Sequence, residues 1–160
     1  MKKTATLSNC GAYRYMLGRS WDQSLPVLAF VMLNPSTADA DQDDPTIRKC
    51  IGFAKRLGFG AITVVNLYAF RATLPVDLKS AGYPVGPGND DFIEIAVNDG
   101  ADAVICAWGS NAKGLARPGE VVALLKRWGR KPMALRINAG GIPAHPLMLP
   151  YSCQLQEYMG

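Results

Sequence analysis

The sequence predicts a three-layer α/β/α fold with a mostly parallel, four-stranded central sheet. The first observation is a set of short apolar segments bounded by polar or turn residues, as expected for strands buried on both faces. The second is that segments with helical periodicity separate these strands, so that crossover connections place helices on both faces of the sheet. We expect a single domain over residues 1–160, because this length buries a substantial core.

The composition is that of an ordinary folded protein, with 49% hydrophobic and 19% charged residues. The net charge of +4 is compatible with a polyanionic partner but does not identify one. Met1-Lys2-Lys3 resembles the start of a signal peptide, yet no apolar segment follows it and no stretch has membrane-spanning length. A cytoplasmic monomer without a membrane partner is therefore expected. The four cysteines form no C-x-x-C pair, so we expect buried reduced thiols and not disulfides, zinc or an iron–sulfur cluster. No other metal site and no cofactor is expected.

The N-terminal region precedes the strand around which the fold is organised. Residues 13–21 are aromatic-rich, with partial alternation of apolar and polar side chains, which predicts an antiparallel or edge strand. We expect this segment to add an N-terminal edge strand or hairpin to the central sheet. The next segment, Val27 to Leu33, is continuously apolar and predicts a strand buried on both faces. It ends at Asn34, because Pro35 has no N–H to donate to a ladder. An asparagine at this place is either a turn cap or a ligand-binding residue.

An acidic segment over residues 39–44 leads into the first helix. Its alternating aspartates resemble the start of a calcium loop, but Asp44 and Cys50 occupy the positions that require glycine and glutamate. We therefore expect an acidic cap and not a calcium site. Asp44 followed by Pro45 predicts the start of a helix, and Gly58 predicts its end.

The rest of the chain continues the alternation of strands and helices. Strands are predicted over residues 61–65, 103–107 and 132–137, and helices over about 89–99 and 118–128. Phe92, Ile95 and Ala96 are expected to face inward from the first of these helices. The stretch 67–88 is predicted to be a long loop, and loops of this length inside a compact domain are usually functional or mobile.

Four polar or aromatic side chains follow the predicted strands: Asn34, Asn66, Trp108 and, in a Gly/Pro-rich loop, His145. The carboxyl ends of parallel strands meet at one edge of a sheet, so we expect these side chains to share a cleft. Two amides, an indole and an imidazole suit a planar, hydrogen-bonding, largely uncharged ligand such as a nucleobase. His145 is the only histidine, so any imidazole chemistry must use it; a structural role within its loop is the alternative.

Four short motifs resemble, in order and spacing, those of the uracil-DNA glycosylase superfamily. They are Leu33-Asn34-Pro35-Ser36-Thr37, Val65-Asn66, Trp108-Gly109-Ser110 and His145-Pro146-Leu147. Over nearly its whole length the chain is also similar to a bacterial and phage family known only as a domain of unknown function, which is marked by the L-N-P-S-T-A-D segment.

The glycosylase resemblance implies a glycosylase-like fold and a role for individual residues. Asn34 matches the residue that positions the attacking water, and members with Asn-Pro here are the mismatch-type glycosylases. Asn66 matches the asparagine that hydrogen-bonds the base. His145 matches the histidine that stabilises the departing base anion. The family's H-P-S is His145-Pro146-Leu147 in this chain, so a phosphate-contacting serine is missing.

The resemblance also implies a wedge loop, and position in the chain indicates the other contacts expected around these residues. Leu147, Met148 and Leu149 match the loop that wedges into the duplex when the base flips out; the alternative is that they simply cover the core. The aromatic residues expected at the base are Tyr68, Phe70 and Trp108. The expected contacts to nucleic acid are Ser36, Thr37, Arg71, Ser110, Leu147 and Met148, and the cations expected on the same face are Arg71, Lys79, Lys113 and Arg117.

The leading functional hypothesis is a DNA glycosylase-like hydrolase. It would cleave the N-glycosidic bond of a damaged or modified base flipped out of DNA, in repair or modification. One alternative is a glycosylase-fold enzyme that acts on a free nucleotide or nucleoside. Another is a nucleic-acid binding module that has the cleft but not the reaction.

Overall fold

The computed structural model describes residues 1–160 and contains nine β-strands and four α-helices. The strands are β1 (Lys2–Leu7), β2 (Arg14–Ser20), β3 (Val27–Met32), β4 (Ala61–Asn66), β5 (Ala103–Cys106), β6 (Pro132–Ala134), β7 (Ile137–Asn138), β8 (Ile142–Pro143) and β9 (Gln156–Glu157). The helices are α1 (Pro45–Arg56), α2 (Pro75–Ser80), α3 (Asn89–Asn98) and α4 (Arg117–Arg127). A single 3₁₀ turn covers Ser110–Ala112.

Seven of the strands form one mixed sheet in the order β1-β2-β4-β3-β5-β6-β9. The four neighbours β4, β3, β5 and β6 run parallel, which confirms the predicted parallel core. Antiparallel strands extend it on both sides: β2 and β1 beside β4, and β9 beside β6. Of the two N-terminal arrangements predicted beside the four central strands, the hairpin is correct, because β1 pairs antiparallel with the outer side of β2. The strand that the prediction lacked is β9 at the opposite edge.

The last parallel strand is shorter than predicted. A strand over 132–137 was expected, but β6 ends at Ala134, and Ile137 belongs to β7 in a separate two-stranded sheet with β8. The physical reason is the turn that follows. Gly140 and Gly141 have φ of 82° and 74°, a conformation that glycine adopts without strain, and they close a hairpin that pulls the chain away from the central sheet.

Helices cover both faces of the sheet, as predicted. Helix α1 packs on one face against β3 and β4, whereas α3 and α4 pack on the opposite face. In α3 the buried residues are Asn89, Ile93, Ala96 and Val97, which follow a helical stripe. Ile95 lies off this stripe and is exposed, so its predicted inward orientation was wrong.

The acidic segment caps the start of α1, as expected. The Asp44 carboxylate accepts a hydrogen bond from the Ile47 amide at 2.8 Å. Asp39 accepts from the amides of Asp41 and Gln42, and Asp43 forms an ion pair with the buried Arg19 at 2.7 Å. No group of histidine, cysteine and acidic residues is arranged to hold a metal ion.

The predicted long loop over residues 67–88 contains the short helix α2. Pro75 starts this helix, and Leu78 anchors it in the core. The cysteines are all free, and Cys50 and Cys106 are buried as predicted, whereas Cys10 is exposed, so its predicted burial was wrong. Every helix falls short of the length and hydropathy needed to span a membrane.

Candidate functional site

A cleft of about 410 Å³ opens at the carboxyl ends of the parallel strands. From β3 the chain proceeds to β4 on one side, and from β4 it returns past β3 to β5 on the other side. The loops that follow β3 and β5 therefore leave the sheet in different directions. This switch point is where the ligand crevice forms in open α/β sheets, and the volume is in the range of small-ligand sites.

The loop after β3 is hydrogen-bonded to the loop after β4, mainly through the side chain of Asn34. Its Nδ2 donates to the carbonyl oxygens of Ala72 at 2.8 Å and Pro35 at 3.0 Å. The Ala72 amide in turn donates to the Pro35 carbonyl at 2.9 Å. Because two carbonyl oxygens accept from Nδ2, the amide orientation is defined and Oδ1 is left as an acceptor. Asn34 thus braces the cleft wall and has one acceptor to offer.

Asn66 is the last residue of β4 and lines the same cleft. Its side chain is buried, yet Nδ2 has no hydrogen-bond partner. A buried donor without a partner is costly, so the site is one in which a ligand acceptor would be stabilising. The backbone here is held by Asn89, which donates from Nδ2 to the Asn66 carbonyl at 2.9 Å.

Trp108 and Gly109 follow β5. The Trp108 ring is almost completely buried and meets Tyr158 edge to face, with 5.8 Å between the ring centroids. Gly109 has φ 79° and ψ 180°, a conformation essentially restricted to glycine. A Cβ at this position would lie 3.0 Å from the Cβ of His145. The glycine therefore permits both the backbone conformation and the close approach of the histidine.

His145 lies in the cleft and is partly buried. Its Nδ1 accepts a hydrogen bond from the Leu147 amide at 3.2 Å, so in the neutral ring the proton is on Nε2. Burial lowers the pKa of His145 below its ordinary value, and the negative charge of Asp44 partly opposes this shift. The ring is therefore a neutral donor through Nε2, which makes no hydrogen bond within the chain.

Two charged residues that sequence reasoning did not assign to the site also line the cleft, Arg14 and Asp44. Arg14 is 2% exposed; its Nη1 donates to the Ala38 carbonyl at 2.9 Å, and its Nε has no partner. Burial lowers the pKa of Arg14 to about 10, and the Asp44 carboxylate opposes the shift. Asp44 was recognised as a helix cap, but nothing in the sequence signals that Arg14 begins β2 at the edge where the cleft opens.

Several predicted site residues come together in this cleft. They are Asn34, Asn66, Trp108, His145, Ser36, Thr37, Ser110 and Leu147. Tyr68 and Phe70 do not reach it. Tyr68 is buried beside Tyr83, with 5.5 Å between the ring centroids, and Phe70 packs edge to face on Tyr13. The structure therefore leaves Trp108 as the one predicted aromatic that lines the cleft.

The three apolar residues after Pro146 have different environments. Leu147 lines the cleft and is partly exposed, and Met148 is 89% exposed. Leu149 is buried in the core on the α1 face of the sheet. The part of this segment that is free to contact a partner is therefore the pair Leu147 and Met148, and Leu149 covers the core.

The four predicted cations also have different environments. Arg71 donates to the carbonyl oxygens of Ser36 at 3.3 Å and Thr37 at 3.5 Å, and so braces the loop after β3. Lys79 and Lys113 are exposed. Arg117 is buried; it forms an ion pair with Asp90 and donates to the Leu67 carbonyl at 2.9 Å. Its expected availability to a partner was wrong, because these contacts use its guanidinium to hold the chain after β4.

Comparison with known proteins gives one match. The model of the family described as "Protein of unknown function (DUF1643)" matches residues 14–147, a span that contains every cleft residue described above. None of the curated proteins and none of the solved structures matches the chain.

Proposed function

The chain belongs to the DUF1643 family, whose function is unknown, and from this premise we propose that it hydrolyses the N-glycosidic bond of a damaged or modified base flipped out of DNA. The observation that carries the proposal is the convergence of Asn34, Asn66 and His145 on one cleft, each with a side-chain atom left over for a ligand. These atoms are the acceptor Oδ1 of Asn34, the donor Nδ2 of Asn66 and the donor Nε2 of His145. The order and spacing of the motifs, which resemble those of uracil-DNA glycosylases, agree with this reading.

In this proposal Asn66 holds the base. Its unpartnered Nδ2 donates to a carbonyl oxygen or ring nitrogen on the base edge, which supplies the missing hydrogen bond of a buried group. Such a site discriminates strongly against a base that has no acceptor at that place, since the amide would then stay unpaired. Trp108 contributes an apolar wall beside the base.

Asn34 and His145 act on the reacting groups. When the glycosidic bond breaks, negative charge develops on the base and positive charge on the sugar. His145 donates from Nε2 to the departing base, and its lowered pKa means that it does so as a neutral imidazole. Asn34 accepts a hydrogen bond from the attacking water through Oδ1, which orients the water but does not deprotonate it. The water oxygen bonds to the sugar carbon as the glycosidic bond breaks, and the proton that the water then loses passes through solvent to the base anion, which leaves as the neutral base.

The exposed pair Leu147 and Met148 supports DNA as the source of the base. Apolar side chains at the rim of a cleft can replace a base that leaves the stack, and this lowers the cost of flipping. The net charge of +4 is compatible with a polyanion. Affinity for DNA is then expected to fall steeply with salt, because binding releases counterions.

One observation favours a second candidate, a glycosylase-like enzyme that acts on a free nucleotide or nucleoside. Arg117, which was expected to contact the DNA backbone, is buried in an ion pair with Asp90. This leaves one fewer free cation on this face for contacts to a DNA backbone. The donors and acceptors inside the cleft serve either substrate equally well.

The experiment presents the same modified bases in duplex oligonucleotides and as free nucleosides, and it detects abasic sites by alkaline cleavage and free base by chromatography. Abasic sites support the DNA glycosylase, and free base from nucleosides alone supports the second candidate. Salt-dependent DNA binding by a folded protein that releases no base would leave a nucleic-acid binding module. His145→Ala serves as the negative control for release, with its folding checked by circular dichroism.

A further inference from the structure

Arg14 presents more hydrogen-bonding capacity to the cleft than the protein uses. A guanidinium carries five N–H donors. The guanidinium of Arg14 makes one hydrogen bond, from Nη1 to the Ala38 carbonyl, and Nε is buried without a partner. The residue lines the cleft and its side chain is 2% exposed, so the unused donors are shielded from bulk water.

The positive charge of Arg14 is also uncompensated by an ion pair. The carboxylate that supports its charge is Asp44, but the two form no salt bridge. Asp44 is directed elsewhere, because it caps the N-terminus of α1 by accepting from the Ile47 amide at 2.8 Å, and the helix dipole offsets its negative charge. Burial opposes the charged form of Arg14 more than Asp44 supports it, as the lowered pKa of the guanidinium indicates. A buried cation in this condition is stabilised by an anion.

Arg19, in the same strand, is an arginine whose guanidinium is fully hydrogen-bonded within the protein. It is as deeply buried as Arg14, but it forms an ion pair with Asp43 and donates to the carbonyl oxygens of Thr4, Gly18, Asp39 and Gln42. The strand therefore does not force an arginine to remain unpaired. The lack of partners is specific to Arg14, at the end of β2 that opens into the cleft.

We propose that Arg14 is the anchor for a phosphate group of the ligand, and that its Nε and Nη2 bind this phosphate in a bidentate manner. The guanidinium fork matches the spacing of two phosphate oxygens, and charge-assisted bonds of this kind are the strong ones. Thr37 and Thr46 line the same cleft, and their hydroxyl groups can supply further donors for phosphate or sugar oxygens. This inference rests on the proposed function, since it makes the substrate of the cleft a nucleotide unit, with both base and phosphate recognised. The phosphate belongs either to a free nucleotide or to the DNA backbone beside the flipped base.

The test measures binding and not base release. Calorimetry compares a nucleoside with its 5′-monophosphate, and with a short single-stranded oligonucleotide that contains the same base, against wild-type protein and Arg14→Gln. We expect the phosphorylated ligand to bind wild-type protein at least about tenfold more tightly than the nucleoside, and Arg14→Gln to abolish this ratio. If the monophosphate shows the Arg14-dependent gain, the source is a free nucleotide; if only the oligonucleotide shows it, the source is the DNA backbone.

The matched control is Arg48→Gln, which removes an exposed positive charge from the first turn of α1 outside the cleft. It should keep the full ratio, which separates a specific contact from a general effect of charge. Equal affinity of wild-type protein for nucleoside, monophosphate and oligonucleotide overturns the proposal, and this result does not depend on the folding of any variant. So does an unchanged ratio in Arg14→Gln. Base release without a phosphate preference would refute the anchor alone, whereas a phosphate preference without base release would refute the hydrolase alone.

Discussion

Replacement of Gly109 by alanine separates the two tasks that this glycine performs. At φ 79° and ψ 180° an alanine is strained by about 1–3 kcal/mol, which the free energy of unfolding should show directly. The added Cβ would also lie 3.0 Å from the Cβ of His145, where ordinary contacts are 3.4–4 Å. The histidine must therefore recede by a few tenths of an ångström. A misplacement of about 1 Å near reacting atoms can slow a reaction by about 10²-fold, so we expect a smaller loss of rate from this shift.

Gly129→Ala is the matched control. Gly129 also has a positive φ, 76°, but a Cβ there would meet nothing within 4 Å. Both variants should lose stability in urea denaturation, and only Gly109→Ala should shift the ring signals of His145. Because His145 is the only histidine, its proton signals in an NMR spectrum are assigned without ambiguity. Identical His145 signals in the two variants would refute the argument that Gly109 sets the position of the ring.

Three further predictions follow from the same contacts. An NMR pH titration of His145 should give a midpoint below its ordinary pKa of about 6.5, and a midpoint at or above about 6.5 would contradict the burial argument. Since the lowered pKa belongs to the folded state, neutral His145 favours folding above about pH 6.5. This contribution to stability is lost as the pH falls through the pKa of His145 in the folded state. Leu149→Ala should reduce stability by about 2–5 kcal/mol because it empties a core position. Leu147→Ala should leave stability nearly unchanged and reduce flipping of a fluorescent base analogue. Similar stability losses for the two variants in urea denaturation would contradict the different roles assigned to Leu147 and Leu149. Asn34→Ala should reduce stability by about 1–2 kcal/mol through the loss of its bonds to Ala72 and Pro35, and full stability in the same measurement would mean that these bonds do not brace the loops.

The parallel core could be predicted from sequence because burial on two faces leaves an unmistakable apolar pattern. Val27 to Met32 is such a run, and β3 lies at the centre of the sheet. The short outer strands have no comparable signal: β1 is mostly exposed and β9 has two residues, so their pairing is decided by the tertiary structure. The helix α2 was missed for a related reason, since six residues with one buried side chain show too little periodicity.

The candidate site was predictable where it depends on strand ends. Asn34, Asn66 and Trp108 directly follow apolar strands, and parallel strands must bring them to one edge. Arg14 was not predictable, because its place follows from β2 running antiparallel to β4, and no local pattern specifies that pairing. Arg117 shows the converse: its sequence position suggested a free cation, and only packing against Asp90 and Leu67 explains its burial.

The central claim is that this cleft releases a base and that His145 stabilises the departing anion. Single-turnover release from the preferred modified duplex, measured for wild-type protein and His145→Ala, tests it most directly. We expect His145→Ala to slow release by about 10²–10³-fold while DNA affinity changes little, because the bond from Nε2 strengthens only as charge develops on the base. Equal release rates in the folded variant and the wild type, or no release by folded wild-type protein from any duplex or nucleoside, would contradict the account.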